Sequence, residues 1–214
     1  MQPQVLGISG SPVKNSNTDR VVQAVLEASG LATEFVKLSD INVRPCRACL
    51  GCRDDNLCKL RDDFPDLAEK VKQAGALVVG AYSPYGSMDA YAKAFLERLF
   101  SLRHVRGLNR GKLAVAVATG NGRGLPGVDR AVEQIAHAMG REGMEVLGRL
   151  QVTGNPKCMT CGHGETCTLS ALPKIWGQDV RVRPERFTRA EDQPVWAEAQ
   201  ALGRELAARL GAKA

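Results

Sequence analysis

The chain has 214 residues, 44% hydrophobic and 24% charged, the composition of an ordinary soluble globule with enough apolar material for one sizeable core. Its 29 Lys and Arg against 23 Asp and Glu give a net charge of +6, which suits anionic ligands or acidic partners, while 5% aromatic residues and no basic run interleaved with them argue against nucleic acid. No charged and apolar leader precedes the first strand and no apolar run reaches membrane-spanning length, so a reducing, cytoplasmic setting is expected for the seven cysteines.

Val5–Ser9 is a short apolar run and reads as a buried parallel strand. A loop rich in hydroxyls and amides follows, and from Asp19 the apolar residues recur at helical spacing. The loop therefore ends at a helix N-terminus, where free N–H groups and the dipole favour an anion. Ser9, Ser11, Lys14, Ser16, Asn17 and Thr18 are the candidate phosphate ligands. One of Ser16, Asn17 and Thr18 is expected to cap the helix in either case. The loop matches neither the dinucleotide fingerprint nor an NTPase P-loop.

Residues 33–38 alternate and read as the second strand. In the stretch 44–62, Cys46, Cys49, Cys52 and Cys58 fall at C-x2-C-x2-C-x5-C spacing. Three thiolates two residues apart can wrap one face of a small inorganic core, and the fourth can close the other side. That is the ligand pattern of a [4Fe–4S] cluster. Structural zinc more often joins two C-x2-C pairs across a longer loop. Zinc, disulfides and free thiols remain the alternatives. Arg44, Arg47 and Arg53 would offset the charge of four thiolates.

Asp62-Asp63 followed by Pro65 is a helix start. Residues 76–81 form a third strand, Tyr82-Ser83-Pro84-Tyr85-Gly86-Ser87 a turn with two aromatics, and 89–102 a helix. Residues 113–118 form the fourth strand, which runs into Thr119-Gly120-Asn121-Gly122-Arg123-Gly124; a helix over 128–139 and a fifth strand over 145–152 follow. The loop 154–170 then carries Cys158, Cys161, His163 and Cys167. Three thiolates and an imidazole complete a tetrahedral zinc set. The same donors suit a second iron–sulfur cluster, while a redox disulfide or unmetallated thiols are the alternatives. An amphipathic helix is expected over 194–210.

Five strands alternating with helices require a doubly wound parallel sheet, expected here as one domain over 1–214 with a cysteine-loop insertion and a C-terminal helical extension. Loops after the first, third and fourth strands meet at the switch point of such a sheet, where ligands bind. The first favours phosphate. Pro84 and Tyr85 offer flat surfaces for a ring, with Ser83 and Ser87 at its edge. Backbone N–H groups from Gly120 to Gly124 can approach a polar ring edge because no Cβ intervenes. Ordinary packing of Tyr82 and Tyr85, and a solvated Arg123, are the bland alternatives. A phosphate at one end and a flat heteroaromatic ring at the other describe flavin mononucleotide (FMN).

The chain resembles the iron–sulfur flavoprotein branch of the flavodoxin-like NADPH-dependent FMN reductase superfamily. The resemblance is carried by Gly10-Ser11-Pro12 with Asn17-Thr18, the compact cysteine run, Tyr85-Gly86-Ser87 with Lys93-Ala94-Phe95, and Thr119-Gly120-Asn121-Gly122. It implies a flavodoxin-like fold, FMN with its phosphate on the first loop, and a [4Fe–4S] cluster on Cys46, Cys49, Cys52 and Cys58. It also implies electron transfer between cluster and flavin across a homo-oligomer interface, in a homodimer or homotetramer, with NAD(P)H or ferredoxin as donor. The aromatic turn before the third helix keeps the family's aromatic content at a shifted position. Two other readings stand beside this one: an NAD(P)H-dependent flavin or quinone reductase with structural zinc, and a non-catalytic electron carrier or thiol redox sensor.

Overall fold

Five apolar runs become five parallel strands: β1 (Val5–Ser9), β2 (Thr33–Lys37), β3 (Ala76–Tyr82), β4 (Leu113–Gly120) and β5 (Glu145–Thr153). They pair in the order β2-β1-β3-β4-β5. The computed structural model describes residues 4–121 and 127–211. Gly122, Arg123 and Gly124 lie outside these described residues. The helices between the strands are α1 (Asn17–Ser29), α2 (Phe64–Gln73), α3 (Ala90–Arg98) and α4 (Val128–Arg141). A short α5 (Leu172–Trp176) and a long α6 (Pro194–Gly211) follow β5.

The central strands are buried on both faces, so their two side-chain sets build two cores. Leu6, Ile8, Leu77, Val79, Ala114 and Ala116 pack with Phe64, Phe95, Leu99, Ile135 and Met139 from the α2, α3 and α4 side. Val5, Ala76, Val78, Val115 and Val117 face the other way and pack with Val21, Val25, Val195, Ala199 and Leu206 of α1 and α6. The chain order reverses between β1 and β3, which places the ligand crevice at their carboxyl ends. The fold is the expected flavodoxin-like one, including the C-terminal helix.

Element ends differ from expectation where side chains cap or break the helix. Asp89 is the N-cap of α3 and its carboxylate accepts the Ala92 N–H, so the helix starts one residue later than the periodicity suggests. The expected single helix 89–102 tightens into a 3-10 turn at Leu99–Leu102. Thr119 and Gly120 belong to β4 and not to the loop after it. The segment between β5 and α6 folds mainly as short turns. Among the described residues, no helix is long and apolar enough to cross a membrane.

Candidate flavin and thiolate sites

The loops at the carboxyl ends of the strands are stitched to one another. The Gly10 N–H donates to the Gly80 carbonyl at 2.8 Å and the Gly154 N–H to the Gly120 carbonyl at 2.6 Å. Thr18 Oγ1 donates to Thr119 Oγ1 at 2.8 Å. Ser83 donates to the Thr119 carbonyl from its backbone N–H at 2.8 Å and its hydroxyl at 3.1 Å. Gly10 must lack a Cβ, because one would lie 2.5 Å from the buried Asp89 carboxylate. That carboxylate accepts the Tyr82 and Ala92 N–H groups, yet burial pushes its pKa up to about 6.

Most of the expected side-chain phosphate ligands are already committed. Ser9 donates to Asp19 at 2.6 Å; Ser16 caps α1 in a capping box with Asp19. Asn17 donates to the Thr153 and Thr188 carbonyls at 3.1 Å each, and Thr18 is spent on Thr119. The Ser11 hydroxyl accepts the Val13 N–H at 3.4 Å. Lys14 is exposed beside these residues. The Asp19 N–H is taken by the Ser16 side chain and the Arg20 N–H by the Ser16 carbonyl, so in the first turn of α1 the Asn17 and Thr18 N–H groups are the ones with no acceptor inside the helix. Lys37, which sequence reasoning missed, donates to Asp19 at 2.7 Å and to the Val13 carbonyl at 2.9 Å, placing a cation against this loop.

In the second loop Tyr85 is fully exposed, with φ +53° in the left-handed region, so the core-packing alternative does not hold for it. Pro84 and Gly86 complete its 3-10 turn; the Ser87 hydroxyl donates to Gln134 at 2.9 Å. Asn121 is exposed at the end of the described part of the third loop.

The four cysteines of the first group line one pocket together with Arg98, Phe100 and Ser101. Cys52 is buried, Cys46 and Cys58 are half-buried and Cys49 is exposed. Burial raises the Cys52 pKa, and the nearness of Cys58, Cys46 and Cys49 raises it further. The loop is fastened to α3 at two points. Asn56, at φ +59°, donates to the Ser101 and His104 carbonyls at 3.1 and 2.6 Å. The side chains of Arg98 and Asp62 form a fully buried ion pair. Burial alone would raise the Asp62 pKa, but the Arg98 guanidinium and the Arg44 and Phe64 N–H groups hold it below the usual carboxylate range. Asp62, read from sequence as helix-start chemistry, is thus also the anchor of the cysteine loop. Arg44, Arg47 and Arg53 are exposed on this loop.

In the second group, the His163 N–H points at Cys161 Sγ at 3.5 Å and the Ala171 N–H at Cys158 Sγ at 3.4 Å. Cys46 Sγ accepts the Ala48 N–H in the same way at 3.4 Å. Gly164 packs on the Cys158 backbone, where a Cβ would lie 1.9 Å from the carbonyl oxygen. Among the described residues, no three His, Cys, Asp or Glu side chains converge on a single ion, in the first group or in the possible second site of Cys158, Cys161, His163 and Cys167. The first group differs in that its four thiols wall one small common space.

Residues 3–155 match the family of NADPH-dependent FMN reductases. An iron–sulfur flavoprotein of Methanosarcina thermophila is 33% identical over 148 residues, 68% of this chain and 77% of that one. One of Methanocaldococcus jannaschii is 33% identical over 148 residues, 68% and 76% of the two chains. Among solved structures, RosB with a bound 8-demethyl-8-formylriboflavin-5'-phosphate intermediate superposes with a TM-score of 0.61 at 18% identity, covering 98% of this chain and 81% of that one. A flavodoxin from the domain Archaea superposes at 0.53 and 15% identity, covering 97% and 98%. The second cysteine group lies beyond the matched residues of the family. The chain belongs to the NADPH-dependent FMN reductase family, in the iron–sulfur flavoprotein branch of the flavodoxin-like superfamily.

Proposed function

We propose that this chain is a flavin-dependent oxidoreductase holding FMN at the mouth of the sheet and a [4Fe–4S] cluster on Cys46, Cys49, Cys52 and Cys58. The observation that carries the reading is the single pocket walled by all four thiols. Bound there, the cluster supplies one-electron transfer, and FMN supplies one- or two-electron chemistry. The start of α1, with Lys37 behind the loop, holds the phosphate end, and exposed Tyr85 with Pro84 offers a face to the ring. Arg98 and Asn56 hold the cysteine loop rigid against α3. Gln134 fixes the turn after Tyr85 by accepting the Ser87 hydroxyl and the Met88 N–H. The donor is NAD(P)H or ferredoxin, the acceptor a small molecule or protein, and the working form a cytoplasmic homodimer or homotetramer.

Anaerobic purification followed by iron, sulfide, zinc and flavin analysis tests the reading. Wild-type protein is expected to carry FMN with about four irons and four sulfides per chain, the content of one cubane. Cys49→Ala is expected to lose iron and sulfide while keeping FMN. Stoichiometric zinc without sulfide would favour the reductase with a structural metal. The metal content of Cys161→Ser assigns the second group: loss of zinc or iron marks it as a site, and no change marks it as thiols.

A further inference from the structure

Arg98 falls on the apolar stripe of α3, with Phe95 before it and Leu99 and Leu102 after it, all nearly inaccessible to solvent. A charged side chain in such a place is costly unless its donors are paired. Its far edge is satisfied. Nη1 and Nη2 donate to the two Asp62 carboxylate oxygens at 2.5 and 3.0 Å, and Nη1 also reaches the Arg44 carbonyl at 2.8 Å. The guanidinium stacks over the Phe64 ring, 4.4 Å from its centroid. The near edge is not satisfied: Nε is buried and has no hydrogen-bond partner. Arg98 is also part of the wall of the four-cysteine pocket.

We propose that Arg98 is a positioning residue of the thiolate centre that also sets its reduction potential, by turning the buried Nε–H edge of its guanidinium toward the four-cysteine pocket. The proposal rests on the cluster reading given above. Reduction adds one electron, and so one negative charge, to a thiolate-ligated cluster; no bond to the protein forms or breaks. Hydrogen bonds to the ligand sulfurs and burial are the levers by which a protein tunes that step. Asp62 cancels much of the Arg98 charge, so the directed N–H matters more than net charge. Asp62 also fixes the fork, so the free edge has one direction in which to point.

Redox titration of anaerobic holoprotein, following the cluster signal by electron paramagnetic resonance, tests this on two variants. Arg98→Lys keeps the charge and removes the Nε edge. Arg98→Gln with Asp62→Asn replaces the ion pair by a neutral pair of similar shape. Both are expected to titrate at lower potential than wild type with FMN content unchanged. Loss of iron and sulfide with FMN retained supports the anchoring half of the proposal. A variant with full iron and sulfide and the wild-type potential overturns it. Wild-type protein without iron and sulfide overturns the cluster reading and this inference with it, a result seen before any variant is made.

Discussion

Thr18 at the start of α1 and Thr119 at the end of β4 are 101 residues apart in the chain, and their hydroxyls meet in a buried hydrogen bond of 2.8 Å. The bond closes the crevice between the first and third loops. Thr18→Val keeps the shape and leaves the Thr119 hydroxyl buried without its donor, a loss of about 1–3 kcal/mol. The Thr18→Val, Thr119→Val double variant is expected to cost clearly less than the two single changes added together. Urea unfolding of the four proteins measures the coupling, and additive costs would show that this bond does not tie the two loops together.

Asp89 gives the fold a pH dependence of known sign. Burial raises its folded pKa from the ordinary 3.8 to about 6, so between those values the folded state holds a proton that the unfolded state has lost. The contribution of this group is fully present below pH 3.8 and is lost as pH rises through 6. At about 1.4 kcal/mol for each tenfold change in proton affinity, the loss is on the order of 3 kcal/mol. Asp89→Asn removes the titration. The stability difference between wild type and variant should therefore move against wild type from pH 4 to pH 7. A difference that is flat with pH would show that the carboxylate is not strained by burial.

Gly203 sets how closely α6 lies on α1. A Cβ there would stand 2.4 Å from the Val25 carbonyl oxygen and 2.8 Å from Ala28 Cβ, both within α1. Gly203→Ala therefore forces the helices apart, at about 1–3 kcal/mol, partly offset by the higher helix propensity of Ala. Gly140 in α4 is the control, since nothing lies within 4 Å of its Cβ position. Gly140→Ala is expected to stabilise by up to ~1 kcal/mol. Thermal unfolding should move in opposite directions for the two variants; the same direction would mean that backbone entropy and not the helix contact governs Gly203.

What the sequence discloses and what it hides follow from the range of the interactions. The strands were legible because Leu77-Val78-Val79 and Val115-Ala116-Val117 are apolar on both faces, a local property. The grouping of Cys46, Cys49, Cys52 and Cys58 was legible because its spacing is local too. The roles of the first-loop side chains were not, since Ser9, Asn17 and Thr18 are claimed by Asp19, Thr153 and Thr119. Pairings across the fold leave no period in the chain. Arg98 left a trace, a cation in line with Phe95, Leu99 and Leu102, but its partner Asp62 is 36 residues away. The turns between β5 and α6 are too short for any periodicity to mark them.

Asn56 decides how firmly the cysteine loop stays on α3. Its side-chain amide donates to the Ser101 and His104 carbonyls in the turns that follow α3, and its backbone N–H donates to the Cys52 carbonyl at 2.9 Å. Its φ of +59° is one that Asn tolerates better than most residues. Asn56→Ala loses both side-chain bonds and keeps a strained backbone; Asn56→Gly loses the bonds and relieves the strain. If the bonds hold the loop, each variant lowers its local opening energy by about 2 kcal/mol, with Ala the worse of the two. Alkylation of buried Cys52 in reduced, metal-free protein, resolved by mass spectrometry, should then quicken roughly thirty-fold, at about 1.4 kcal/mol per factor of ten. An unchanged rate at Cys52 in both variants would leave the Arg98–Asp62 pair as the anchor that matters.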